Sequence, residues 1–250
     1  MFPVCPKCKH VLPKAEAAEA CPSCGLYFRK YLQSLAGAET STGTRGAAAE
    51  AEPESLTDGQ SAFRRVFLYV PEEVESWRIY GGALLFALSL WFGWRFYFMD
   101  IPDWEMSSTF LHAAMVPFHE FGHLLFRPFG EFMSVAGGTL AQWLLPLAFL
   151  ALFSLKNRDN FSASLMLWWL GTQFLDLAPY AWDAATPTQV LLTGRTGDTG
   201  GHDYIDMLGD LGLLRHAHQV AWVMHATGLI IMIAAWAWSA WILWRQFRNR

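Results

Sequence analysis

Apolar residues run through most of this chain from residue 77 onward in stretches of membrane length, broken only by short polar segments. The runs are Ile79–Met99, Ser107–Phe126, Gly138–Leu155, Phe161–Trp182 and Val220–Trp244. About 20 apolar residues in a helix cross a hydrocarbon core, and in that medium every backbone N–H and C=O must be paired within the protein. This restricts residues 77–250 to a mainly α, multi-pass helical bundle of about five spans. A half-polar helix is expected from Tyr204 to about His216, between the last two runs. Tryptophan and tyrosine near the run ends fit an interfacial belt. The whole chain is 53% hydrophobic and only 16% charged, against roughly a quarter charged in soluble proteins. No basic, aromatic surface points to nucleic acid.

The second run holds His119-Glu120-Phe121-Gly122-His123. Histidines at i and i+4 share one helix face, so both imidazoles reach a single metal ion, and the glutamate between them has the placing of a base. Ionisable groups at membrane depth are costly, which makes a functional reading the default. Pro117, just ahead of the motif, loosens the helix there. A catalytic zinc takes three protein ligands and keeps one open position. The third ligand is therefore sought elsewhere, among Asp176, Asp183, His202 and Asp203, with Asp183 favoured because it sits where a helix meets the loop and His202 and Asp203 next. Asp176 and Asp183 are seven residues apart and share a helix face, whereas His202 and Asp203 follow Gly200-Gly201. The Gly-rich segment from Gly194 to Gly201 reads as a mobile cover over the site. His112, two turns before His119, is too far to share the ion and reads as a supporting partner or an interfacial histidine, with Asp176 pairing either with it or with Arg95.

The first 60 residues are unlike the rest. All four cysteines lie in Cys5-Pro6-Lys7-Cys8 and Cys21-Pro22-Ser23-Cys24. Two such knuckles separated by a short loop predict a tetrahedral, structural thiolate site for a second zinc over residues 1–30, with two disulfides as the competing arrangement. The segment resembles a zinc ribbon. Thiolate zinc suits a reducing compartment, so the ribbon is expected on the cytoplasmic side, where it would engage a protein partner. Residues 33–60 read as a flexible tether rich in Ala, Glu, Gly, Ser and Thr, and residues 61–76 as a short helix in the membrane interface; together, 31–76 link ribbon and bundle. The N-terminus has no basic-then-apolar pattern of a cleavable signal. Five simple crossings from a cytoplasmic N-terminus would put Arg245, Arg248 and Arg250 outside, against the positive-inside tendency, so one segment is expected to be re-entrant or the rule to fail here.

Residues 118–123, together with Gly137-Gly138 and a later aspartate-bearing helix, resemble the site-2 protease family of intramembrane zinc metalloproteases. The resemblance spans about residues 107–183. It implies peptide-bond hydrolysis in membrane-anchored protein substrates, with His119 and His123 on zinc and Glu120 as base. That family takes its third ligand from a Leu-Asp-Gly segment. The nearest match, Leu175-Asp176-Leu177, lacks the glycine, and the Asn-Pro-x-Pro element before it is absent. These departures leave a second reading, a membrane-anchored zinc-ribbon adaptor with a structural or degenerate metal site.

Overall fold

The computed structural model describes Val4, Cys5, Val11, Cys21, Pro22, Cys24, Tyr27, Phe28 and residues 58–249. Cys8, most of the expected ribbon and the tether up to residue 57 lie outside the described residues. The chain divides into two compact units, Met1–Ser55 and Leu56–Arg250.

In the first unit, Cys5 and Cys21 are buried and Cys24 half-buried, with their sulfurs within 4.8 Å of one another. The Cys5 and Cys24 sulfurs are 3.7 Å apart. A disulfide would need about 2.05 Å, whereas two thiolates on one tetrahedral zinc stand about 3.8 Å apart. Val4 and Val11 form an antiparallel bridge across the first knuckle. The described cysteines are thus arranged for a metal and not for a disulfide between Cys5 and Cys24.

The second unit is helical. Its helices are α1 (Asp58–Phe67), α2 (Ser76–Tyr97), α3 (Phe110–Phe126), α4 (Glu131–Ala151), α5 (Asn160–Asp183), α6 (Asp203–Asp210) and α7 (Ala217–Arg248). The helix expected in 61–76 is α1, displaced toward the N-terminus. The half-polar helix expected after Asp203 is shorter than its pattern suggested, because Gly212 takes a left-handed conformation (φ 66°) just beyond it. Thr109 caps α3 by accepting the His112 N–H, and Asp159 caps α5 by accepting that of Ser162. Pro117 and Pro146 sit inside continuous helices.

Among the described residues, three segments are long and apolar enough to cross a membrane: Ser76–Tyr97, Glu131–Asn157 and Leu214–Arg248, with mean hydropathies of 1.2, 1.6 and 1.8. Their outward faces are apolar, as at Leu84, Trp94 and Ile230, each more than 60% exposed. The other two expected spans differ for separate reasons. α3 has only 17 residues, and α5 carries Asn160, Ser164, Thr172, Gln173, Asp176 and Asp183, all buried. α5 is the hub of the bundle, packed along α7 on one side and α4 on another.

Two glycine pairs set the closest crossings. A Cβ on Gly122 of α3 would lie 2.2 Å from the Gly137 carbonyl oxygen of α4, and one on Gly137 would lie 2.4 Å from that of Gly122. Gly171 of α5 and Gly228 of α7 approach similarly, at 2.9 and 2.7 Å. Small residues that let backbones touch are the usual source of helix association in lipid, where burial of apolar surface gives no net drive.

The start of α2, the α4–α5 junction and the end of α7 meet at one end. Asn160 donates to the Val66 and Tyr69 carbonyls, Asn249 to that of Pro71, and Arg78 pairs with Asp159. Arg78, Lys156, Arg158, Arg245 and Arg248 gather there. α3 starts far from that end, since His112 in its first turn bonds Asp176, 16 residues and roughly 24 Å along α5 from Asn160.

Substituting Gly122 or Gly137 by alanine is expected to destabilise the helical unit by about 1–3 kcal/mol, since neither backbone can yield without moving a helix. Gly81→Ala, where nothing lies within 4 Å of the added carbon, is expected to be neutral or stabilising. Thermal unfolding in detergent checks the contrast.

Candidate metal centre

His119 and His123 project from the last two turns of α3 toward α4. The His119 ring lies against Gly138, where a Cβ would come within 2.4 Å of Nε2. The Gly137-Gly138 pair therefore serves twice, Gly137 for the helix crossing and Gly138 for the imidazole.

Each histidine is held by its other nitrogen. His123 Nδ1 is 2.9 Å from the Ser134 carbonyl oxygen. A carbonyl only accepts, so Nδ1 carries a proton and Nε2 is the atom left to face Asp203 or a metal. His119 Nδ1 is 2.8 Å from Gln142 Oε1, which likewise accepts. Gln142 Nε2 donates to Gln173 Oε1 (3.2 Å) and Asp176 Oδ2 (3.1 Å), so its amide polarity follows from its partners. Each Nδ1 is thus held by an acceptor, which leaves both Nε2 atoms directed at Asp203. Outer partners of this kind fix the tautomer and orientation of metal-binding histidines.

Among the four candidates for third ligand, Asp203 comes to the pair. Its Oδ2 lies 2.9 Å from His119 Nε2 and 3.4 Å from His123 Nε2. Ligand atoms about 2.0–2.1 Å from a tetrahedral zinc stand about 3.3 Å apart, which the His123–Asp203 spacing matches, while the His119–Asp203 spacing is shorter. Burial opposes the Asp203 charge, but the hydrogen bonds to both imidazoles outweigh it and hold the carboxyl below the usual range.

The remaining candidates have other partners. Asp176 bonds His112 through Oδ1 (2.8 Å) and Gln142 through Oδ2, one side chain removed from His119. Asp183 closes α5 and accepts from the Thr188 and Gln189 N–H groups through Oδ1. Its Oδ2 faces His202 Nε2 at 3.4 Å. His202 caps α6, its Nδ1 accepting the Ile205 N–H at 3.3 Å. Burial pushes the His202 imidazole below its ordinary range, which suits a neutral acceptor. The Asp183–His202 pair thereby sets the start of α6, while the Tyr180 hydroxyl accepts the Asp203 N–H at 3.0 Å. These three residues aim the Asp203 carboxylate without being ligands.

Glu120 adjoins the centre, with ligand atoms of His119, Glu120 and His123 all within 4.8 Å of one another. It borders a cavity of about 400 Å³ shared with His112, Trp104, Leu177 and Tyr180. One wall is a tight hairpin at Val190–Thr196, closed by the Leu191 N–H on the Arg195 carbonyl (2.9 Å). The Gly-rich segment expected to cover the site begins in this wall. Comparison with protein-family models, characterised proteins and solved structures finds no match to the chain.

Sequence reasoning did not single out Gln142, Ser134 or Tyr180. Gln142 left a trace, being the only amide in α4 and one turn after Gly138 on the same face. Ser134 acts through its carbonyl, which no residue type reveals.

Asp203→Ala is expected to remove one zinc equivalent, as is His119→Ala, while Asp176→Asn keeps it. Metal analysis of the purified chain checks this, with Cys5→Ser expected to remove a different equivalent.

Proposed function

We propose that this chain is a membrane-embedded zinc metalloprotease, similar to the site-2 protease family in its His-Glu-x-x-His helix and different from it in the source of its third ligand. The observation that carries the reading is the convergence of His119 Nε2, His123 Nε2 and Asp203 Oδ2, with Glu120 beside them on a cavity wall. The acceptors on both Nδ1 atoms support this reading, since they leave each Nε2 to a metal that would replace its hydrogen bond to Asp203.

Zinc held by these three residues would activate water for attack and polarise a peptide carbonyl. Glu120 accepts the proton of the attacking water and delivers it to the leaving amine. Tyr180, Asp183 and His202 keep the Asp203 carboxylate in place. The cavity lies within the range for binding sites, and its apolar lining suits a short unwound stretch of a membrane-anchored protein, whose carbonyls a regular helix would hide. The Cys5, Cys8, Cys21 and Cys24 ribbon takes the second, structural zinc and docks a protein partner.

In the membrane, α2, α4, α5 and α7 make four crossings, with α3 starting inside the bundle. This count puts both ends of the helical unit on one side, in keeping with the contacts of Asn160 and Asn249. The basic end faces the cytoplasm by the positive-inside tendency. Asp183 lies 23 residues along α5 from Asn160, roughly 35 Å, so the metal centre sits toward the opposite face.

Glu120→Gln is expected to retain both zinc equivalents and to lose cleavage of a membrane-anchored reporter by about 10²–10⁴-fold. Persisting cleavage would remove Glu120 from the role of base. A topology reporter after Arg250 is expected to read as cytoplasmic, and one inserted at Gly194 as external; the same side for both would overturn the four-crossing arrangement.

A further inference from the structure

Asp176 is a buried carboxylate at membrane depth that stands outside the metal's ligand set. Its two oxygens are divided between His112 Nδ1 and Gln142 Nε2, at 2.8 and 3.1 Å. Gln142 is 3% exposed and Gln173 1%, and the network meets the cavity at His112, Gln142 and Asp176. A glutamine amide can sit either way round at almost the same shape. Turned over, Gln142 would point its NH₂ at His119 Nδ1, which would then have to accept. His119 would carry its proton on Nε2, the nitrogen that faces Asp203 and His123, and its lone pair would be lost to the ion.

We propose that Asp176 and Gln142 act as a polarity lock: the carboxylate fixes the direction of the amide, and the amide fixes the tautomer of His119. The inference rests on the metal-site reading above. Asp176 and Gln142 are positioning residues, since neither touches the ion or the reacting atoms. Two acceptors, Asp176 Oδ2 and Gln173 Oε1, take both amide hydrogens of Gln142. That leaves Oε1 as the one group directed at His119. A carboxylate suits this role better than another amide, because it has no hydrogen to offer and cannot be satisfied by the reversed arrangement. The price is a buried charge, which explains why it is also hydrogen-bonded to His112.

The lock makes a prediction that simple packing does not. Gln142→Glu keeps an acceptor facing His119 but sets two carboxylates against each other. Asp176→Asn can meet Gln142 with either its oxygen or its nitrogen, so it no longer fixes the direction of that amide. The double substitution moves the amide from position 142 to position 176. The new carboxylate at 142 then accepts from His119, and the new amide at 176 donates to that carboxylate while accepting from His112. Gln173 turns its own amide over to donate as well. The connections between these side chains are then restored with their donors exchanged.

The test is zinc affinity at the histidine site of the full-length chain in detergent, by chelator competition, together with the visible absorption of the cobalt-substituted protein. Asp176→Asn is expected to bind about 10–100-fold more weakly, the range found when the outer support of a metal-binding histidine is lost. Gln142→Glu, whose carboxylate accepts from His119 whichever oxygen faces it, is expected to stay within a few-fold of wild type. The double variant is expected to return to within a few-fold, with the wild-type cobalt spectrum. A double variant as weak as Asp176→Asn, or one that fails to fold, overturns the lock, as does wild-type affinity in Asp176→Asn alone. His119→Ala is the separate control: if it retains the same zinc, the metal-site reading itself fails, whatever the glutamine variants do.

Discussion

The contact of two peptide backbones at Gly122 and Gly137 is the constraint on which the rest of the helical unit depends. It fixes how near α3 comes to α4 and how the two are rotated, so that His123 faces the Ser134 carbonyl and His119 lies over Gly138 beside Gln142. In lipid such an approach has to come from shape and polar contacts. A methyl group on either glycine would move the imidazoles relative to the groups that orient them. The sequence element that makes the chemistry possible is in this sense outside the motif that names it.

A second layer acts on Asp203. That carboxylate begins a helix of only eight residues, reached through a loop with three positive-φ glycines, Gly194, Gly200 and Gly201. Left alone, such a segment would not hold a ligand to within a fraction of an ångström. Asp183 ties the start of the loop, His202 ties its end, and Tyr180 takes the Asp203 N–H. Three residues that resemble metal ligands or catalytic groups in the sequence are thereby accounted for by the fixing of one. Asp176 has the equivalent task on the other side, acting through Gln142 on His119.

Much of the fold was legible because the period and length of the apolar runs are strong signals. The five runs correspond to α2, α3, α4, α5 and α7, with ends displaced by a few residues and α4 starting at Glu131, seven residues earlier than its run. What the runs could not tell was depth. α3 has the composition of a span, yet it begins inside the bundle because His112 must reach Asp176. The grouping of His119, Glu120 and His123 was legible from their spacing alone. For a third ligand the sequence offered four candidates and leaned to Asp183, since ligand and supporting roles draw on the same residue types. Only the spatial pairing separates Asp203 from Asp183, His202 and Asp176. The Ser134 carbonyl and the direction of the Gln142 amide leave no mark in the sequence, because they are properties of the crossing.

The most direct test of the account is zinc-edge X-ray absorption on the full-length chain with Cys5, Cys8, Cys21 and Cys24 all replaced by serine, so that only the membrane centre can hold zinc. The account predicts one zinc per chain with nitrogen and oxygen neighbours at about 2.0–2.1 Å, two of them imidazoles, and no sulfur. A chain that folds but holds no zinc, or a zinc without imidazole neighbours, would contradict it.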